Sequence, residues 1–293
     1  MTETATPAGT DRRGLMARTL GLASAIGLGG GSLLASATPA SAQAITELDV
    51  LNFALNLEYL EAEFYLRAVY GSGLPPGEVS AGSQPVGTVT GGHQVSFGAK
   101  FQREIAMEIA QDERAHVTLL RGVLGNAKVA RPRIDFQSSF TALARASGVI
   151  GPSGSFDPFA TEENFWLGAF VFEDVGVTAY KGATPALASS AYLEAAAGLL
   201  AVEAYHAGEI RTLLLRAGKG FLGNRIGRAR NAIDGPTETD QGPTANSRVN
   251  IVPTDQNGLA FSRTPRQVLD VVYLGTNATK GGFFPNGMNG KIR

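Results

Sequence analysis

Asp112-Glu113-Arg114-Ala115-His116 and Val202-Glu203-Ala204-Tyr205-His206 share one spacing, Glu-x-x-His. Each sits inside a run of helical periodicity. Side chains at i and i+3 share a helix face, so each pair presents a carboxylate and an imidazole to the same point. Ile109 and Leu120 lie on the stripe of Glu113 and His116, and Leu199, Ile210 and Leu213 on that of Glu203 and His206. The charged residues therefore occupy the core positions of their own helices.

Two further helices carry one acid each in the same situation. From Leu48 to Tyr70, opened by Thr46 with Asp49 three residues on, Glu58 lies in the seam of Leu51, Leu55, Ala62 and Tyr65. After Thr161-Glu162-Glu163, Glu173 lies in the seam of Trp166, Phe170, Val177 and Tyr180. Tyr65 and Tyr180 each follow their Glu by about two helical turns and line the same face, as second donors or as core tyrosines. The chain thus repeats itself: Glu58, Tyr65, Glu113, His116, Arg121, then Glu173, Tyr180, Glu203, His206, Arg211. Glu61 borders the face of Glu58 and can replace or assist it. Arg121 and Arg211 read as surface charges near helix C-termini, and His93 as a solvated loop residue.

The four helices are expected at about 48–70, 98–124, 161–182 and 189–217. Apolar on one face, they predict an all-α four-helix bundle over residues 43–218. Residues 71–98, rich in Gly, Ser and Pro, read as a long loop between the first two helices. A short amphipathic piece lies around Phe136 to Ala146. Residues 219–293 read as an irregular C-terminal extension, regular only from Pro265 to Leu274. Val271-Val272-Tyr273 and Phe283-Phe284 are too apolar for a free tail, so this extension is expected to pack on the bundle.

Four carboxylates in one core repel each other and lose hydration, a cost of several kcal/mol or more per unpaired ion. Two divalent cations balance the four charges, with the imidazoles neutral. Glu58, Glu113, His116, Glu173, Glu203 and His206 are the expected metal ligands. Carboxylate with imidazole suits two iron or two manganese ions, zinc less so. The competing reading pairs these acids with Arg67, Arg114 or Arg121.

Composition removes other chemistries. The 293 residues include no Cys, which excludes disulfides, zinc–cysteine sites, iron–sulfur clusters and a thiol nucleophile. The formal net charge of −1 gives no basic surface for nucleic acid. At the N-terminus, Arg12-Arg13 precedes a weakly apolar run from Leu20 to Leu34 and then Ala40-Ser41-Ala42. Residues 1–42 read as a twin-arginine export signal, too short and glycine-rich in its apolar run to span a bilayer. The mature chain is expected in the periplasm or another extracytoplasmic space, without a stable membrane span. An oligomer is compatible with the sequence but not specified by it.

One Glu, one Glu-x-x-His, one Glu, one Glu-x-x-His on successive helices resembles the ferritin-like superfamily. Leu51-Asn52-Phe53-Ala54-Leu55-Asn56-Leu57-Glu58-Tyr59-Leu60-Glu61-Ala62-Glu63-Phe64-Tyr65 is similar to the ferritin-like desiccation-related proteins. So are Phe172-Glu173-Asp174-Val175-Gly176-Val177-Thr178-Ala179-Tyr180, Glu203-Ala204-Tyr205-His206-Ala207-Gly208 and the ending Gly282-Phe283-Phe284-Pro285-Asn286-Gly287. The resemblance implies a ferritin-like bundle, the six ligands named above and a setting of drying and stress tolerance. The secretion signal, the long loop and the tail depart from cage-forming ferritins, which argues against a storage shell. Two functions follow as expectations: a di-metal redox protein acting on peroxide or dioxygen, or a non-catalytic protective protein on the same scaffold, with small-scale iron sequestration as a further reading.

Overall fold

Thr46 caps the first helix, α1 (Glu47–Tyr70), in a capping box with Asp49. The computed structural model describes residues 44–235 and 238–293, so the export signal at 1–42 lies outside the described residues. Gly71 ends α1 in the left-handed conformation, φ 76°, which an L side chain adopts only with strain. A four-residue helix, α2 (Pro76–Val79), follows.

The second long helix, α3 (Lys100–Leu124), precedes α4 (Gln137–Ala146). Then come α5 (Glu162–Ala183), capped by Thr161, and α6 (Ser190–Arg216). Packing is pairwise, α1 along α3 and α5 along α6, with α1 also touching α5. The expected all-α bundle is therefore present. Nearly every residue from Val50 to Val69 and from Phe165 to Tyr180 is buried, so α1 and α5 form the inside of the bundle. Phe64 of α1 anchors an aromatic cluster with Phe136, Phe140, Phe159, Phe165 and Phe172, at ring centroid distances of 5.1–5.8 Å.

The 71–98 segment is mostly loop, as expected, but not wholly. Besides α2 it contains a two-residue strand, Val89–Thr90, paired in parallel with Ile134–Asp135. The tail departs further from its sequence reading. Gly220–Asp234 is a helix, α7. Interior glycine costs about 1 kcal/mol relative to alanine in a helix, which hid this one. Packing explains the glycines. A Cβ at Gly223 would lie 2.7 Å from the Pro243 ring, and one at Gly227 3.0 Å from Asp240. The glycines let the following segment close onto α7.

The last helix, α8 (Pro265–Tyr273), matches its expected position. It lies on α5 and α7. Phe283 sits 4.9 Å from both Phe140 and Phe172, ring centre to ring centre, so the tail packs on the bundle as its apolar residues imply. Residues 44–293 form one unit. No helix among the described residues is long and apolar enough to cross a membrane.

Candidate metal centre

All six expected ligands converge in the core of the bundle. Glu58 comes from α1, Glu113 and His116 from α3, Glu173 from α5, and Glu203 and His206 from α6. Glu58 is 1% exposed and Glu113, Glu173 and Glu203 are 0% exposed, so water does not solvate these charges. His116 Nδ1 lies 3.2 Å from Glu58 Oε2, 3.5 Å from Glu113 Oε2 and 3.7 Å from Glu203 Oε1. His206 Nδ1 lies 3.1 Å from Glu113 Oε1 and 3.4 Å from Glu173 Oε2. The two imidazole rings are 6.4 Å apart.

These residues form overlapping groups whose donor atoms lie within 4.8 Å of one another. One is Glu58, Glu113, His116 and Glu203; another is Glu113, Glu173 and His206. A third is Glu61, Glu113, Glu173 and Glu203. Glu113 belongs to all three.

The competing reading, with arginines neutralising the acids, does not hold. Arg67 binds Glu63 at 2.9 Å, Arg114 binds Glu78, and Arg121 donates to the Tyr59 hydroxyl. Among the described residues, no Lys or Arg forms an ion pair with Glu58, Glu61, Glu113, Glu173 or Glu203. Both oxygens of Glu113 and Glu203, one of Glu173 and one of Glu61 have no hydrogen-bond partner despite complete burial. Buried carboxylate oxygens without partners are costly, and this many together make a donor set that could hold a metal ion. Oxygen and nitrogen donors without sulfur fit iron or manganese in kind.

Electrostatics follow from the crowding. Burial pushes the Glu58 carboxyl up to about 7, against the pull of His116. Burial and the surrounding carboxylates raise Glu203 and Glu61 well above the usual carboxylate range. Burial also works against ionised Glu113, but both histidines outweigh it and hold this carboxyl below the usual range. Burial favours neutral imidazoles, yet Glu58 and Glu113 push His116 up to about 11, and Glu173 and Glu113 push His206 up to about 12. Among the described residues, His116 and His206 are the groups that pair as cations with these carboxylates.

The tyrosines line the expected faces, but their bonds cross between the halves. Tyr65 of α1 donates to Glu173 of α5, and Tyr180 of α5 donates to Glu58 of α1. This is the register of an antiparallel helix pair, in which each half's tyrosine orients the other half's carboxylate.

Three features lay beyond the sequence reading. Asp112 Oδ2 lies 3.1 Å from His206 Nε2, so it can accept the Nε2 proton and leave Nδ1 facing the carboxylates. Only the tertiary packing of α3 on the α6 side reveals this contact. Arg211 is not a surface charge. It is fully buried and donates to both oxygens of Asp174 at 2.8 Å. Arg121 is also drawn in: it is half-buried and holds the carbonyls of Gly77 and Ser80. His93 stays exposed, as expected, and contacts Asp157 at 2.9 Å.

The third feature is Gly176, one turn beyond Glu173. A Cβ there would overlap Glu203 Oε2. Alanine favours helix over glycine by about 1 kcal/mol, so Gly176→Ala is expected to leave the metal-free protein folded. The same change displaces a candidate ligand and is expected to weaken ion binding about tenfold or more. Equilibrium dialysis against Mn(II) checks this; unchanged affinity would mean that Glu203 moves without loss.

Comparisons with known proteins agree with the geometry. The desiccation-related protein PCC13-62 of Craterostigma plantagineum is 30% identical over 84% of each chain. The ferritin-like catalase Nec2 of Nesocodon mauritianus is 28% identical over the same shares. No solved structure matches the chain significantly. The family described as ferritin-like domain matches residues 46–216, the span from the Thr46 cap to the end of α6, and the chain belongs to that family.

Proposed function

We propose that this protein binds two redox-active ions, iron or manganese, and uses them on a small oxidant such as peroxide or dioxygen in stress protection outside the cytoplasm. The observation that carries this reading is the cluster of buried carboxylates whose free oxygens face two imidazoles, with no arginine or lysine among the described residues paired with them. Glu58, Glu113, His116, Glu173, Glu203 and His206 are the proposed ligands. Similarity to a protein named a ferritin-like catalase supports peroxide as the substrate class. Export by the twin-arginine route, which carries folded and loaded proteins, accords with loading in the cytoplasm.

The ions, when bound, supply electron exchange with the oxidant. The chain supplies the setting. Glu113 reaches both histidine groups and so is the shared carboxylate. Tyr65 and Tyr180 fix Glu173 and Glu58 by their hydroxyls. Asp112 holds the proton on His206 Nε2, and the packed helices keep bulk water from the carboxylates.

Metal must displace the protons that His116 and His206 hold at neutral pH, and those on the raised carboxyls of Glu203 and Glu58, so loading two ions is expected to release at least two protons per chain. Stopped-flow with a pH indicator measures that release. Elemental analysis of the exported protein, paired with a peroxide decay assay on the same sample, tests the reading. Iron or manganese at about two ions per chain, with peroxide loss, is the expected result. Zinc or no metal, with no peroxide loss, would instead favour a protective scaffold, the reading that the desiccation-related relative's name supports.

A further inference from the structure

A cavity of about 630 Å3 opens at the end of the bundle where α3 and α5 begin and α6 ends. Trp166, the single tryptophan of the chain, lines it with Phe101 and Gln102 of α3 and Glu209 and Thr212 of α6. Trp166 is 3% exposed, and its indole N–H donates to Gln102 Oε1 at 2.7 Å. From there the rings run inward. The Trp166 ring centre lies 4.7 Å from that of Phe165, and Phe165 lies 5.7 Å from Tyr65. Phe165 and Tyr65 are fully buried, and the Tyr65 hydroxyl donates to Glu173. A line of touching rings thus joins the cavity wall to a candidate metal ligand. The other half of the repeat lacks it, because the place of Trp166 in the seam of α5 is taken in α1 by Leu51.

We propose that this cavity binds a small phenol and that Trp166 and Tyr65 pass its electrons to the centre, so that the protein oxidises phenols with peroxide. The inference rests on the di-metal reading above and supplies its reductant. The cluster carboxylates are at most 4% exposed, so a molecule larger than a small oxidant delivers electrons through the protein and not by contact. A phenol offers a flat apolar ring to Trp166 and to Phe101, which is 62% exposed. Its hydroxyl can donate to Glu209, which is half-buried and forms no ion pair among the described residues. The other two acids of the wall are engaged: Glu163 pairs with Lys219 at 2.8 Å, and Glu162 accepts the Gly98 N–H at 2.7 Å. An oxidised indole is a cation, and its hydrogen bond to Gln102 strengthens with that charge. Each phenol gives one electron inward and one proton to the solvent at the cavity mouth. Two phenols therefore reduce one peroxide to two waters and leave as two phenoxyl radicals.

Two measurements test it, the first without metal. As the only tryptophan, Trp166 reports the cavity through its fluorescence. Guaiacol is expected to quench the metal-free protein saturably, and Phe101→Ala, a change at an exposed position, to weaken that binding about two- to tenfold. Quenching that is linear and equal in both proteins would overturn the site. The second is freeze-quench EPR on the iron-loaded protein mixed with peroxide. Wild type is expected to show an organic radical that guaiacol discharges. Trp166→Phe keeps a ring against Phe165, so the bundle is expected to fold, but guaiacol should discharge its radical about tenfold or more slowly. Equal discharge in Trp166→Phe, or no radical in a loaded protein that consumes peroxide, would overturn the relay alone. A protein that binds no iron or manganese would instead overturn the di-metal reading beneath it, while the fluorescence titration still decides the cavity.

Discussion

Replacing Glu113 with alanine is expected to abolish the proposed binding of two metal ions while leaving a folded bundle. Glu113 is the residue common to every candidate ligand group, and its two oxygens face His116 Nδ1 at 3.5 Å and His206 Nδ1 at 3.1 Å. A variant at Glu58 removes a donor from the His116 side only. A variant at Glu113 removes one from both sides. The effect on stability runs in opposite directions with and without metal. Metal-free, the variant loses one member of a repelling carboxylate set. With metal, it forfeits the binding contribution. At free metal about 100-fold above Kd, each ion stabilises the folded state by about 2.7 kcal/mol, so losing both removes about 5 kcal/mol. For a domain of this size that is a drop of about 10–20 °C in the metal-dependent part of Tm. Elemental analysis and melting with and without chelator check the outcome together. A Glu113→Ala protein that retained two ions would show that the donors nearest the histidines are not the ligands.

The bundle and the convergence of its candidate ligands were legible because helical spacing turns sequence into geometry. Glu-x-x-His places two side chains on one face regardless of anything distant, and the apolar seams say which way that face points. Which groups meet across helices follows from register instead. Tyr65 reads as lining the face of Glu58, its own helix neighbour, and its bond runs to Glu173 on the other half. The repeat itself held more than its ligands. Arg121 bonds Tyr59, the residue after Glu58, and Arg211 bonds Asp174, the residue after Glu173. The two halves therefore use the same arginine position to grip the same helix position. One grips a phenol in a half-buried setting and the other a carboxylate in a fully buried one. A position near a helix C-terminus gave no sign of this, because the groups that bury Arg211 come from the tail: the carbonyls of Gln241, Gly242 and Asn250. Helix α7 was hidden for the same reason. Its glycines look like breakers until Pro243 and Asp240 are seen lying against them.

That tail is held by a buried ionic lattice, and Arg230→Leu is expected to be the most destabilising single change outside the candidate metal centre. Arg211, Arg230 and Arg263 are at most 1% exposed, and Asp174, Asp234 and Asp240 at most 6%. They come from α5, α6, α7 and the segments that follow, three positive charges against three negative. Arg230 sits at the junction. It donates from Nη2 to Asp174 at 2.9 Å and Asp240 at 2.8 Å, and from Nη1 to the Phe170 and Val171 carbonyls. Its guanidinium lies 4.6 Å over the Phe170 ring. Desolvating all six charges makes the lattice a weak source of net stability while it is complete. Removing one member is different, because Asp174 and Asp240 then stay buried with a charge unmatched. That costs about 3–5 kcal/mol, or about 6–20 °C in Tm. Arg228, exposed one turn-fraction away on the same helix, is the control, with a change expected within about 0.5 kcal/mol. The pH dependence carries the sign. Burial opposes ionisation of Asp174, but Arg211 and Arg230 outweigh it and hold its carboxyl below the usual range. A lowered carboxyl stabilises the fold above its unfolded value and loses that contribution as pH falls through the folded one. In Arg230→Leu the same carboxyl takes up a proton more readily, which removes the unmatched charge. The penalty is therefore largest near neutral pH and shrinks on acidification toward the carboxylate range. Urea melts of wild type, Arg228→Leu and Arg230→Leu across that range measure it. If Arg230→Leu and Arg228→Leu unfold alike at neutral pH, the lattice does not hold the tail, and packing of Phe283 and Val268 on the bundle is sufficient to do so.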